Sequence, residues 1–387
     1  MKIPKEIVEQ AVAWRRHLHA NPELGYEEHK TSAFIAEILE GLGIEVHRGL
    51  AKTGVVGVLK RGSSDKSIAL RADMDALPLV ELGDVAHRSQ TEGRMHACGH
   101  DGHTAMLLGA ASYLSQYGEF DGTIYFVFQP AEENLAGGRA MVEDGLFERF
   151  QIDQVYGMHN WPGRPLGDIC VNDTAMMASF DIFDISLMGR GGHAAIPEKA
   201  RDPIVAAAEL VQHLQSIVSR RVSAHDSAVL SITQISGGET YNIIPEEVKL
   251  KGTVRALSES VRLEVKEQLI KAVETLPSLR EVTGTIEYQD CYPATINTPD
   301  KAAKVRAIAA DVFSKEKVLE GLLPSMASED FSFMLREKPG AYIWLGVDGE
   351  KPSAALHNPY YDFNDDVLPI GIRLWVSLAE QVGDGLS

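Results

Sequence analysis

Polar residues follow the apolar strands of this sequence, and that alternation limits the folds the chain can adopt. Residues 68–72, 123–128 and 154–158 are short apolar runs of strand type, and helical patterns lie between them. After these runs come Asp73 and Asp75, then Glu132 and Glu133, then His159. Strands that alternate with helices predict a mainly parallel α/β sheet flanked by helices, and such sheets bind ligands at the carboxyl ends of their strands. We therefore expect these side chains to meet at one edge of the sheet.

A short stretch, residues 95–103, carries the greatest density of potential metal ligands. Cys98 and His100 are two positions apart on a glycine-containing loop, so both side chains can turn toward one ion. Thiolate, imidazole and carboxylate are ligands that zinc prefers, and a catalytic zinc keeps one position for water. Taken alone, the stretch fits equally well a buried cysteine and hydrogen-bonded histidines. We predict a buried helix over residues 104–117, with Asp101 as its N-cap.

Composition and charge argue against several classes of partner. The chain has 387 residues, 44% of them hydrophobic. A chain of this length is too long for one ordinary hydrophobic core, so we predict two domains. Its net charge of −18 repels phosphate groups, so we expect neither nucleic acid nor an anionic membrane as a partner. The three cysteines are far apart and form no disulfide framework. The sequence shows no membrane span and no signal-peptide core, and we expect a soluble, cytoplasmic protein.

The pattern of elements changes at about residue 180. Strand patterns at 181–188, 228–235, 248–255 and 283–289 alternate with helical patterns at 203–218 and 259–275. The resulting β-α-β-β-α-β order is typical of a ferredoxin-like α+β sandwich. We predict that residues 180–292 form an inserted domain of this type, and that residues 1–179 and 293–387 together form a discontinuous catalytic domain.

Five side chains are our candidate metal ligands: Cys98, His100, Glu133, His159 and His357. They exceed what one tetrahedral zinc binds, so we predict two metal ions that share a water. A carboxylate that stays free can accept the proton of this water, and Glu132 is our candidate for this general base. On residue chemistry alone Glu132 and Glu133 could exchange roles, or both could be acids at a helix N-terminus. Asp75 is expected to orient a ligand, whereas we interpret His96 and His103 as ordinary polar residues outside the site.

The predicted insert carries three further candidates. His193 lies in a glycine-rich loop, residues 189–197, where its imidazole could donate to a developing oxyanion. The loop also fits the dinucleotide fingerprint G-x-G-x-x-A, but Pro197 interrupts the helix that this fingerprint requires. Asn242 and Arg255 could bind a substrate carboxylate. From chemistry alone, an exposed turn explains His193 equally well, and a turn residue and a strand-end charge are the simpler interpretations of the other two.

Eight motifs, in order along nearly the whole chain, resemble those of the N-acyl-amino-acid amidohydrolases. They are RADMDALP (71–78), HACGHDGHTA (96–105), QPAEE (129–133), GMHNWP (157–162), GRGGHAA (189–195), NIIPEEVKLKGTVR (242–255), ASEDFSF (327–333) and LHNP (356–359). This family includes hippurate hydrolase, N-acetyl-diaminopimelate deacetylase and the plant auxin–amino acid hydrolases. It forms a branch of the aminoacylase and carboxypeptidase-G-like zinc peptidases. The match is highly specific because it extends over so many motifs in one order.

The resemblance implies a catalytic domain with two metal ions, and an inserted lid domain that also forms the interface of a homodimer. It assigns the metal ligands as Cys98, His100, Glu133, His159 and His357, with Glu132 as general base. His193 would bind the oxyanion, often in the partner subunit's active site, and Asn242 and Arg255 would lie beside the substrate. Asp73 and Cys98 stand where the wider superfamily carries a histidine and a bridging aspartate. Zinc is therefore our first expectation, with manganese, nickel and cobalt as alternatives.

The resemblance also implies a function, namely hydrolysis of the acyl–amide bond of N-acyl-L-amino acids of the hippurate or N-acetyl-amino-acid kind. A metal-activated water would attack the carbonyl, and Glu132 would carry its proton to the leaving amine. A dipeptidase or carboxypeptidase on the same site and a non-catalytic metal-binding protein are the alternatives, and a dinucleotide-dependent oxidoreductase is a distant third. The sequence contains no G-x-S-x-G, Walker A or H-E-x-x-H motif, which argues against serine hydrolases, P-loop enzymes and zincins.

Overall fold

A computed structural model describes residues 2–350 and 352–381 of the chain. Over these residues the chain forms two compact units. Unit 1 contains the described residues of 1–176, 296–323 and 330–387, and unit 2 contains residues 177–295 and 324–329. Within the described ranges, no helix has both the length and the apolar character needed to cross a lipid bilayer.

Helices and strands alternate along the described chain. The helices are α1 (Lys5–Ala20), α2 (His29–Gly41), α3 (His100–Tyr117), α4 (Glu132–Leu135), α5 (Gly137–Glu143), α6 (Leu146–Arg149), α7 (Pro203–Arg220), α8 (Glu259–Thr275), α9 (Pro299–Val312), α10 (Ser332–Glu337) and α11 (Leu368–Ala379). The strands are β1 (Glu45–Leu50), β2 (Gly54–Arg61), β3 (Ser67–Asp73), β4 (Gly122–Gln129), β5 (Gln154–Pro165), β6 (Ile169–Cys170), β7 (Ala175–Met177), β8 (Phe180–Met188), β9 (Gly192–His193), β10 (Ala228–Ser236), β11 (Ile243–Ile244), β12 (Glu247–Ala256), β13 (Thr283–Tyr292), β14 (Thr295–Ile296), β15 (Val318–Leu319) and β16 (Gly340–Asp348).

Unit 1 is built on a mixed sheet whose central strands are parallel. The strand order is β1-β2-β4-β3-β5-β16-β6-β15. The four strands β4, β3, β5 and β16 are parallel neighbours, whereas β2 is antiparallel to β1 and β4, and β6 is antiparallel to β16. Every residue of β3 and β4 is buried, as expected for central strands covered on both faces. The predicted mainly parallel α/β sheet is therefore confirmed.

Helix α3 is the central helix of unit 1, and it packs against α1 and α11. Close approach is possible because Gly109 has no side chain, since a Cβ at this position would lie 2.4 Å from Ile372 Cδ1. The helix begins at His100, not at residue 104 as predicted. Asp101 therefore lies in the first turn, while Gly99 occupies the N-cap position. The predicted capping role of Asp101 is wrong, and its buried side chain has other partners, described below.

Unit 2 contains a four-stranded antiparallel sheet in the order β10-β12-β8-β13. Buried and less buried residues alternate along β8 and β12, because one face of the sheet packs against α7 and α8. Helix α7 starts with Pro203 as its first residue, after Asp202, whose carboxylate accepts a hydrogen bond from the Ile204 N–H. The succession β8-α7-β10-β12-α8-β13 is that of a ferredoxin-like sandwich, which confirms the fold predicted for the insert.

Candidate metal centre

The chain enters α3 through a sharp turn at Gly99. This residue has a φ of 89°, and a Cβ at its position would lie 2.4 Å from Asn160 Oδ1. Both constraints favour glycine, which has neither a steric penalty at positive φ nor a side chain. Cys98 and His100 flank the turn, and both side chains are buried. The local sequence therefore brings a thiol and an imidazole together inside unit 1.

Three predicted ligands from distant parts of the chain converge on one point. Sγ of Cys98, a carboxylate oxygen of Glu133 and a ring nitrogen of His357 all lie within 4.8 Å of one another. Nε2 of His357 is 3.0 Å from Glu133 Oε1. His357 adopts a φ of 63°, and its backbone N–H donates to the carbonyl of Ala97 at 2.8 Å. This backbone bond ties the C-terminal loop to the Cys98 loop, so His357 reaches the thiol without belonging to a helix or strand.

The other two predicted ligands belong to a second, adjoining group. Ligand atoms of Asp73, His100, His103 and His159 lie within 4.8 Å of one another. The two groups adjoin because Cys98 Sγ is 3.5 Å from His159 Nε2. His159 lies inside β5, which continues to Pro165, so the predicted end of this strand at residue 158 is wrong. Two adjoining groups of ligand atoms offer positions for two metal ions rather than one.

Asp75 connects the two groups of ligands. One of its oxygens, Oδ1, lies 3.1 Å from His100 Nδ1, and the other, Oδ2, accepts the backbone N–H of Glu133 at 3.0 Å. A carboxylate on Nδ1 fixes the ring of a histidine and leaves Nε2 with its lone pair toward a metal. The Asp75 side chain is buried, so water does not compete for these bonds.

The residues of the centre fit divalent metal ions. Nε2 of His100 is buried and has no hydrogen-bond partner among the described residues, as expected for an atom that binds a metal. Burial lowers the pKa of His100, but Asp73 and Asp75 outweigh this effect and raise the pKa to about 10. Burial, together with Glu133 and Glu132, raises the pKa of the Cys98 thiol well above its usual range. The pocket therefore favours positive charge, which a divalent cation supplies to nitrogen, sulfur and oxygen ligands.

Glu132 and Glu133 differ in their surroundings although they are adjacent in sequence. Glu133 belongs to the group with Cys98 and His357, whereas Glu132 does not. Glu132 and Glu133 do form a group with His100, so the Glu132 carboxylate lies beside the ligands. Oε1 of Glu132 also accepts the backbone N–H of Asp330 at 3.4 Å. This geometry favours Glu133 as the ligand of the thiol-containing position, with Glu132 next to it.

His103 is a residue of the centre that the sequence interpretation left outside. Its Nδ1 lies 2.6 Å from Asp73 Oδ1, and its Nε2 accepts the backbone N–H of Asn160 at 3.0 Å. Both ring nitrogens are therefore occupied within the protein, so His103 positions Asp73 rather than offering a free ligand atom. A signal for its role exists in the sequence, because His100 and His103 are three positions apart and lie on one face of a helix that starts at His100.

The three candidates of the insert lie in unit 2. His193 in β9 pairs with Ile243 in β11, and the N–H of Ala194 donates to the carbonyl of Asn242 at 3.0 Å, so His193 and Asn242 are neighbours. The exposed ring of His193 accepts the Ala195 N–H on Nδ1 at 3.1 Å. The neutral ring then carries its proton on Nε2. Arg255 donates to the carbonyl of Met326 at 2.9 Å and stacks on the ring of Phe180.

A parallel α/β sheet with clustered Cys, His and carboxylate ligands, combined with a ferredoxin-like unit, defines the class of two-domain metal-dependent hydrolases. The chain belongs to peptidase family M20/M25/M40, whose model matches residues 69–381. It is 43% identical over 365 residues to hippurate hydrolase of Campylobacter jejuni, with 94% of both chains covered. It is 37% identical to thermostable carboxypeptidase 2 of Saccharolobus solfataricus, with 97% of this chain and 96% of the relative covered.

A solved structure supports the same assignment of family and fold. The YXEP protein of Bacillus subtilis, described as a dinuclear metal-binding peptidase of the M20 family, superposes with a TM-score of 0.86. The two sequences are 32% identical, and the match covers 98% of this chain and 99% of the other. The family recognised from the eight sequence motifs is therefore confirmed.

Proposed function

We propose that this protein hydrolyses the acyl–nitrogen bond of N-acyl-L-amino acids, with hippurate-like or N-acetyl-amino-acid substrates. One structural observation carries the proposal: the ligand atoms of Cys98, Glu133 and His357 converge within 4.8 Å, and a further carboxylate, Glu132, lies beside them. Hydrolysis of an amide needs an activated water and a group that moves its proton, and this arrangement offers a place for both. The similarity to hippurate hydrolase supports the choice of substrate class.

The proposed metal ligands are Cys98, His100, Glu133, His159 and His357. We infer that they hold two divalent ions, with zinc as first choice because thiolate and imidazole together suit it, and with manganese, nickel and cobalt as alternatives. When bound, the two ions lower the pKa of the attacking water and polarise the substrate carbonyl. Asp75 holds the His100 ring and the Glu133 backbone in place for this task.

The protein's own residues then move the proton and hold the substrate. Glu132 accepts a proton from the attacking water and delivers it to the leaving nitrogen. His193, of the same subunit or of its partner, donates its Nε2–H to the oxyanion, a role supported by the Nδ1 bond from Ala195. Asn242 and Arg255 bind the carboxylate of the amino acid, for which an amide and a guanidinium are suitable donors.

We also propose the domain roles and the assembly. Residues 1–179 and 293–387 form the catalytic domain, and residues 180–292 form a lid through which two copies associate as a homodimer. Light scattering coupled to size-exclusion chromatography tests the dimer. A monomer at all accessible concentrations would remove the homodimer from the proposal while leaving the chemistry of unit 1 untouched.

A substrate panel tests the proposed reaction. Acetyl and benzoyl derivatives of several amino acids are assayed beside dipeptides, and the metal content of the same sample is measured. We expect turnover of the N-acyl amino acids in a sample that holds metal. Preference for peptides would favour the carboxypeptidase alternative, which the similarity to thermostable carboxypeptidase 2 keeps open. A metal-loaded sample without turnover on either class would favour a non-catalytic metal-binding protein.

A further inference from the structure

The segment that carries Glu132 and Glu133 has an unusual backbone. Ala131, Asn134 and Ala136 have φ values of 55°, 63° and 54°, although none of them is a glycine. Residues with a Cβ rarely adopt this left-handed conformation, and surrounding contacts must hold them there. The direction in which the Glu132 side chain leaves the backbone therefore depends on what fixes Ala131, the residue before it.

Glu28 supplies such a contact from a distant part of the chain. Its carboxylate Oε1 accepts the backbone N–H of Ala131 at 2.9 Å, and its Oε2 accepts the hydroxyl of Thr53 at 2.7 Å. All three residues are buried. Because Glu28 immediately precedes α2, its own backbone is fixed by a regular element, so it can act as a rigid support.

A carboxyl at this position is costly for the fold. Burial and the nearby charge of Asp75 raise the pKa of Glu28 to about 7, and the bonds from Thr53 and Ala131 offset part of this effect. Among the described residues, no lysine, arginine or histidine forms an ion pair with Glu28. A neutral apolar side chain would fill the space without this cost, but it would leave the Ala131 N–H without an acceptor.

We infer that Glu28 is a positioning residue for Glu132, acting through the backbone of Ala131. Its carboxylate bonds to Thr53 and to the backbone of Ala131, and its effect is to keep the Glu132 carboxylate in line with the attacking water. The inference rests on the proposed function, in which Glu132 moves the proton. Other backbone bonds hold the neighbouring parts of the loop, because the Glu133 N–H donates to Asp75 and the Gly138 N–H donates to Asp330.

The test compares Glu28→Leu with the conservative Glu28→Gln. Leucine removes the acceptor, and we expect kcat to fall by about 10- to 100-fold, since small misplacements of a catalytic group have effects of this size. KM and metal content are expected to stay within about twofold of the parent, because the substrate and metal contacts lie elsewhere. Glutamine keeps an acceptor for the Ala131 N–H, so kcat is expected to stay within about fivefold of the parent.

Two further variants separate positioning from a general effect on the fold. Thr53→Val removes the second bond of Glu28 but keeps the bond to Ala131, and kcat is expected to remain within about threefold of the parent. A glycine at position 131 adopts positive φ without support from Glu28. Glu28→Leu is therefore expected to lower kcat less in the Ala131→Gly background than in the parent. Should Glu28→Leu not fold, Glu28→Asp, which retracts the carboxylate by one methylene, takes its place with an expected loss of about tenfold.

Two results would overturn the inference. The first is a kcat within about threefold of the parent in a folded, metal-loaded Glu28→Leu or Glu28→Asp variant. The second is an equal loss of kcat in the parent and Ala131→Gly backgrounds. If Glu132→Gln has near-normal turnover, the proposed role of Glu132 as the base fails, and the inference loses its premise. If Glu132→Gln is inactive and the Glu28 variants are not impaired, only the positioning role fails.

Discussion

The first turn of α3 carries two neighbouring buried residues, His100 and Asp101, whose surroundings differ in charge. On the His100 side, three carboxylates, those of Asp73, Asp75 and Glu133, all raise the pKa of His100. On the Asp101 side, Arg15 and His19 face the carboxylate. His19 Nδ1 lies 2.8 Å from Asp101 Oδ2, and Arg15 Nη1 lies 3.7 Å from the same oxygen.

The negative charges of the cluster around Asp101 are balanced by the protein's own basic side chains. Arg15 also pairs with Asp362 at 2.8 Å and with Asp365 at 2.7 Å. Burial raises the pKa of Asp101, but His19 outweighs this effect and holds the pKa well below its usual range. Acids and bases here neutralise one another without a ligand, which is the pattern of a buried structural ion-pair network.

The metal centre is compensated only in part: Arg71 pairs with Asp73 at 2.7 Å, whereas Asp75 and Glu133 have no lysine or arginine partner among the described residues. Both clusters contain buried histidines and carboxylates, so residue types alone do not separate them. The thiol of Cys98 has its pKa raised, and His100 Nε2 has no hydrogen-bond partner among the described residues. A buried cluster whose carboxylates are only partly paired with arginine, and which presents an unpaired ligand nitrogen, is a candidate cation site.

Removal of the Glu132 carboxylate is expected to have the largest effect on activity. Glu132→Gln keeps the size of the side chain but removes the proton acceptor, so kcat is expected to fall by about 10³- to 10⁴-fold. Metal content and thermal midpoint should match the parent, because the proposed ligand Glu133 is unchanged. Steady-state kinetics on an N-acyl amino acid, with metal analysis of the same sample, checks this. Near-normal turnover would assign the base to another residue.

Loss of the proposed thiol ligand is expected to act on metal binding first. Cys98→Ala should lower metal content from about two ions per chain to about one and reduce kcat/KM by about 100-fold, because one position loses its soft ligand. Cys170→Ala is the matched control, since Cys170 is another buried free cysteine that belongs to none of the ligand groups found among the described residues. Elemental analysis after dialysis measures both variants. Equal metal content in the two would remove Cys98 from the ligands.

Periodic features of the fold were predictable from the sequence. The predicted strands 68–72 and 123–128 correspond to β3 (Ser67–Asp73) and β4 (Gly122–Gln129), because central strands read as unbroken apolar runs. The order of elements in the insert was equally readable, since strand and helix periods differ. The edge at which ligands gather follows from the parallel arrangement itself.

Hydrogen bonds and ion pairs between side chains were predictable only where a sequence motif contained the residues. Asp73 lies 30 positions before its partner His103, and Arg15 lies 350 positions before its partner Asp365, so no local pattern connects them. Asp101 looks like a helix cap in sequence, but its role depends on α1 packing beside α3. The assignment of base and ligand to Glu132 and Glu133 stays a prediction, supported by the different groups in which the two carboxylates lie.

A substitution in the cluster around Asp101 is expected to affect stability rather than metal binding. Asp101→Asn leaves His19 and Arg15 without the shared carboxylate, and removal of one partner of a buried ion pair costs about 3–5 kcal/mol of unfolding free energy. Glu9→Gln is the control, because its ion pair with Lys5 is exposed and screened by solvent, so its loss is expected to change stability far less than Asp101→Asn does. Urea unfolding gives both values. A variant that keeps its stability but loses metal would place Asp101 in the metal centre.

The same cluster predicts a dependence of stability on pH. Burial lowers the pKa of His19, but Asp101 and Glu81 outweigh this effect and raise the pKa from 6.5 to about 9 in the folded protein. The charged ring therefore stabilises the fold fully below about pH 6.5, and this contribution, about 3 kcal/mol, is lost as the pH rises through about 9. His19→Gln removes the titration, so the difference in unfolding free energy between parent and variant should shrink over this range. A difference that stays constant with pH would show that His19 is neutral in the folded protein. His19 would then not balance the negative charge of Asp101.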